Sequence, residues 1–107
     1  MSEPKEQSRA QQLMGDFAPK LAELTDDVLF GDVWAREGLS QRDRSLITVA
    51  ALIANGNTEQ LPGHLNRAKA NGISEAELSE VITHLAFYAG WPRAISAIMV
   101  AKEVFKK

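Results

Sequence analysis

The chain of 107 residues contains no cysteine. That absence excludes disulfides, thiolate metal ligation and every thiol-based redox mechanism. An excess of positive charge is absent too. The formal net charge is −2 and the pI about 5.6, which argues against a nucleic-acid partner, because gripping a phosphate backbone needs clustered cations. No apolar run approaches the roughly 20 residues of a membrane-spanning helix, so no membrane partner is expected. The opening MSEPKEQSRAQQ lacks the apolar centre of a signal peptide, and a cytoplasmic location is expected. No stretch sustains the period-two alternation of half-buried strands, so no sheet is expected. Internal repeats and low-complexity runs are absent.

What is present is helical pattern and helical punctuation. The expectation is an all-α fold: a compact single-domain bundle of about five to six helices over residues 9–107, preceded by a flexible N-terminus at 1–8. A first helical region runs from Arg9 to Ala35, interrupted by Pro19. Ser40, with Asp43 three residues on, opens a helix that Gly56 can close. Its interior, LITVAALIA, is apolar on every face, and a helix of that kind must be covered all round. A domain this small has little material for that, which points to a second subunit. The next helix is expected to start at Asn57 or Thr58 and end at Gly72, with Pro62 favouring a bend or an irregular start in its first turns. Ser74 and Glu77 form a capping box for a helix ending at Gly90. Pro92 takes a first-turn position in the last one.

Several side chains could carry chemistry. Glu80, His84 and Tyr88 are spaced by four and share one helix face. The ordinary reading is a solvated Glu80–His84 pair with Tyr88 at the core edge; the functional reading is the wall of a site. His64 lies on a separate helix. No H-x-x-x-H or E-x-x-H spacing occurs, so no metal is expected. Arg42 and Arg44 fall in the first turn of their helix, where a cation opposes the dipole. Asp43, an acidic partner or an anionic ligand must offset that. Arg93, beside the Gly-Trp-Pro turn, has the same two readings. Trp34 and Trp91 suit core, interface or pocket wall alike. Residues 40–72 have the outline of a helix-turn-helix, but the helices are too apolar and the chain too acidic for DNA.

The order and spacing of RDRSLITVAALIA, QLPGHLNRAKANGISEAEL and HLAFYAGWPRA resemble the carboxymuconolactone decarboxylase family over about residues 28–105. The resemblance implies an all-helical domain assembled as a ring-shaped homohexamer, a trimer of dimers. It also implies cofactor-free loss of carbon dioxide from γ-carboxymuconolactone in protocatechuate breakdown. A sister branch, the alkylhydroperoxidase D-like proteins, carries C-x-x-C-x-x-x-H on the corresponding helix. Here those positions are Asn57, Gln60 and His64, so the histidine remains and the thiol chemistry is unavailable.

On this resemblance the expected proton donor is His64, since an imidazole titrates near working pH. His84 and Tyr88 are candidates for contact with the developing oxyanion. Arg42 or Arg44, with Arg93, would hold a substrate carboxylate, which a guanidinium grips bidentately. Phe87 and Trp91 would supply an apolar wall. Two alternatives stay open. One is the same fold with a drifted small-acid substrate; the other is a non-catalytic, ring-forming binding protein.

Overall fold

The computed structural model describes residues 7–106. Every regular element among them is helical. The chain divides after Gly38 into two compact units. Residues 1–6 of the expected flexible N-terminus lie outside the described residues.

The first unit contains α1 (Arg9–Met14), α2 (Pro19–Leu24) and a π-helical run, Thr25–Val33. Ser8 holds α1 at its start. Its Oγ accepts from the Gln11 N–H at 3.0 Å and donates to Asp26 Oδ2 at 2.6 Å. The Arg9–Ala35 region is thus three pieces. Pro19 does not break a helix but begins one, where its missing N–H would have had no partner. The wide turn is confirmed beyond its end: the Trp34 N–H reaches back five residues to the Leu29 carbonyl at 2.9 Å. Trp34 is buried, its ring 5.7 Å from that of Phe30.

The second unit contains α3 (Gln41–Asn55), α4 (Leu61–Ala70), α5 (Glu75–Ala89) and α6 (Trp91–Val104). The Ser40 cap is present, its Oγ accepting from the Asp43 N–H at 3.0 Å. Gly56 ends α3 in the left-handed region at φ 71°, as its position foretells. The start of α4 differs from expectation. Residues 57–60 form a turn, the helix begins at Leu61, and no side chain caps it. Pro62 therefore lies in the first turn, where no intrahelical donor is lost, and the irregular, uncapped start is one of the two outcomes its position allowed.

α3 packs against α4, α5 and α6, and α5 pairs with α6. The core is built from Val49 and Ile53 of α3, Leu61 and Leu65 of α4, Ile73, Leu78 and Ile82, with Ala94 and Ala97 of α6. Ser45 is buried among them and satisfied by Asn71, whose Nδ2 donates to its Oγ at 2.9 Å. The expected all-round burial of α3 is not met within the chain. Its buried stripe is Ser45, Val49 and Ile53, while Ile47 is 56% exposed.

Candidate active site

Two polar groups on neighbouring helices are withdrawn from solvent. His64, half-buried on α4, has its Nδ1 shielded, and Arg44, half-buried on α3, has its Nε shielded. Each is placed by the core residue that follows it. Ser45 and Leu65, both 0% exposed, anchor the helical turns that carry Arg44 and His64.

Arg42 is engaged differently. Its guanidinium pairs with Glu77 Oε2, joining the start of α3 to the start of α5. Glu77 also completes the capping box. Its Oε1 accepts from the Ser74 N–H at 3.0 Å, while its own N–H donates to Ser74 Oγ at 3.0 Å. The Ser74 backbone donor first, and the Arg42 guanidinium second, hold the Glu77 carboxyl below the usual glutamate range. A carboxyl with a lowered folded-state pKa stabilises the fold above its unfolded pKa, and that contribution is lost as pH falls through the folded value. Glu77→Gln should accordingly melt earlier than the parent at neutral pH. The gap should close on acidification below about pH 4, the ordinary glutamate range. A pH series of thermal melts checks this; a gap that persists unchanged to pH 2 would show that the ionised carboxylate is not what stabilises the junction.

The end of α5 and the start of α6 carry the remaining candidates. The His84 and Tyr88 rings stack at 4.8 Å and 30°. The Phe87 and Trp91 rings meet edge to face at 5.2 Å and 81°. Gly90 joins the two helices alone, at φ 100° and ψ 149°. These rings do not form an internal wall. Phe87 is 73% and Tyr88 78% exposed, so Tyr88 is not at the core edge, and Trp91 is exposed as well. His84 and Glu80 do border a groove of about 420 Å³ between α3 and α5, with Leu46, Ala50, Val81 and Leu85 as its apolar sides. The structure thus gathers His84, Tyr88, Phe87 and Trp91 into one outward-facing ridge. His64 and Arg44 lie deeper.

Arg93 serves the end of α3. Its guanidinium lies against Gly56, where a Cβ would collide with it. A cation there faces the negative end of the α3 dipole. Gly56 is thus fixed by its left-handed backbone, while the flexible arginine tip over it can move aside. Sequence reading found Glu77 only as a cap and missed its reach to Arg42; it missed the Arg93–Gly56 contact outright. The i to i+3 spacing of Ser74 and Glu77 was a local signal, whereas both inter-helix contacts needed the packing.

No three His, Asp or Glu side chains gather as a metal site would require among the described residues, and no described helix is long and apolar enough to cross a membrane. The fold and these side chains define an all-helical, thiol-free protein whose candidate site offers imidazole, guanidinium, carboxylate and phenol groups. Residues 19–103 match the model of the carboxymuconolactone decarboxylase family. The chain belongs to that family. It is 37% identical over 99 residues to the 4-carboxymuconolactone decarboxylase of Acinetobacter baylyi, covering 92% of this chain and 74% of that protein. It is 36% identical over 81 residues to a nitrosuccinic acid decarboxylase of Metarhizium robertsii, covering 76% of this chain and 57% of the relative. A 15.0 kDa protein of Paracoccus denitrificans is 30% identical over 81 residues, 74% of this chain and 60% of its own length.

Proposed function

We propose that this protein is a carboxy-lyase acting on a lactone carboxylic acid, with γ-carboxymuconolactone as substrate. The observation that carries the reading is the 37% identity to a 4-carboxymuconolactone decarboxylase across 92% of the chain. The reaction asks for little that the side chains lack. The bond to the leaving carboxylate breaks, and its electron pair flows through the butenolide onto the lactone carbonyl, giving a dienolate. Carbon dioxide departs, and a proton then goes to carbon, yielding the enol-lactone. The enzyme must grip the carboxylates, stabilise the dienolate oxygen and supply that proton. Arg44 is assigned to a carboxylate and His64 to the proton. His84 and Tyr88 are assigned to the oxyanion, and Phe87 and Trp91, exposed in the single chain, become an apolar wall once a neighbouring subunit covers them. Arg42 and Arg93 hold the framework through Glu77 and the end of α3.

The same reading makes the protein a homo-oligomer, a hexameric ring, because the ridge at α5–α6 and the outer face of α3 remain uncovered in one chain. It also implies a cytoplasmic setting in aromatic catabolism, which cell fractionation checks. A second substrate class is favoured by the nitrosuccinic acid decarboxylase relative: another small polycarboxylic acid with an electron-accepting group beside the leaving carboxylate.

The test is a direct assay. γ-Carboxymuconolactone given to the purified protein without additives should lose the ultraviolet absorbance of its conjugated lactone. Turnover of nitrosuccinate with an inert lactone would move the assignment to the second class; no turnover of either would favour a binding role. Light scattering at micromolar concentration should give a mass several times that of one chain, and a monomer would end the ring.

A further inference from the structure

The N-terminal unit has little core of its own. Among its described residues, 7–38, only Ala10, Ala22 and Trp34 are buried. Its larger apolar side chains face outward instead: Phe17 is 93% exposed, and Leu13, Leu21, Leu24, Val28 and Leu29 are exposed with it. A helical segment that buries two alanines and one tryptophan recovers little of its folding entropy by itself. Something must cover it.

The second unit presents a matching surface. On α6, Trp91, Ile95, Ile98 and Met99 are exposed at spacings of three and four, which places them on one face. That face continues into a groove of about 490 Å³ between α5 and α6, bordered by Ile98 and Phe105 and by two lysines, Lys102 and Lys106, against one carboxylate, Glu75. The charges are also opposite. Residues 1–38 hold eight acidic and four basic side chains, whereas residues 39–107 hold six acidic and eight basic ones. Asp16, Asp27 and Asp32 are exposed on the first unit together with Lys20 and Arg36, and Lys102 and Lys106 on the second together with Glu103, so the complementarity is one of net charge. The first unit therefore presents an apolar surface of net negative charge, and the second presents an apolar face beside two lysines.

We propose that residues 7–38 are an intersubunit arm that docks on the α6 face of a second copy of this chain. The arm's Leu13, Phe17 and Leu21 lie on Ile95, Ile98 and Met99, and its carboxylates face Lys102 and Lys106. In a two-fold pair both arms are exchanged, so each contact is made twice. The Phe87–Trp91 ridge adjoins the docked arm, so the partner's arm encloses the apolar wall of the site. The proposal rests on the self-association put forward above, and its test separates the two.

The absence of cysteine makes that test clean. Chains carrying Phe17→Cys alone and Ile98→Cys alone, distinguished by tag length, are co-expressed and treated with a short bis-maleimide. Leu13→Cys with Ile95→Cys forms a second pair. All four positions are exposed, so the fold should tolerate them, and circular dichroism checks this. At least one pair should give a linked heterodimer several-fold in excess over like-with-like products. If the protein is an oligomer by light scattering but neither pair links arm to α6, the arm is wrong while self-association stands. If it is a monomer, both fall together.

Discussion

Replacing His64 with asparagine is expected to lower the turnover of γ-carboxymuconolactone about 10²–10⁴-fold, the usual contribution of a positioned acid or base. Asparagine keeps roughly the size and hydrogen-bonding capacity of imidazole but cannot deliver a proton near neutral pH. The half-buried position on α4 should therefore stay filled and the helices intact. The loss should fall on kcat, with KM little changed, since the removed function acts in the transition state. Arg44→Gln should do the opposite and mainly raise KM, because a carboxylate loses its bidentate grip in ground and transition states alike. Circular dichroism of both variants guards against misfolding. A folded His64→Asn protein at near-full rate would make His64 structural and move the proton to His84 or Tyr88.

For stability, the largest loss is expected at the residue next door. Leu65 is 0% exposed and sits in the core with Val49, Ile53, Leu61 and Leu78. Leu65→Ala removes three buried carbons and leaves a cavity that surrounding helices fill only in part. The cost should be about 2–5 kcal/mol. At several degrees per kcal/mol for a chain of this size, the melting midpoint should drop by roughly 10 °C or more. Denaturant melts at one fixed protein concentration check it, since association also stabilises the fold. A loss below about 1 kcal/mol would mean that the core can collapse around the smaller side chain.

The helices of the second unit were legible because their ends are chemical. Ser40, Gly56, Ser74 and Gly90 each mark a boundary through a hydrogen bond or a backbone angle that few residue types provide. The start of α4 was misread because Asn57 and Thr58 are good capping residues that the chain uses in a turn instead. The π-helical run was invisible, since its five-residue bonding leaves no periodicity that a window of 3.6 would catch. At the candidate site, the residue types were readable and their depth was not. His64 and Tyr88 look equally helical in sequence, yet one has a shielded nitrogen and the other stands in solvent. Depth depends on which helix lies opposite, and that information is not local.

The junction at Gly90 also constrains how this protein can be rebuilt. Two helices of 15 and 14 residues meet through one residue, so the angle between them rests on a single pair of torsions with no slack. A Cβ at that position would meet nothing closer than Pro92 Cδ at 3.8 Å. Room is available, and it is the φ of 100° that reserves the place for glycine. Insertions, affinity tags or circular permutation at this corner would rotate α6 against α5 and separate Phe87 from Trp91. The boundary after Gly38, where one compact unit gives way to the next, is the place where a protein engineer should open the chain.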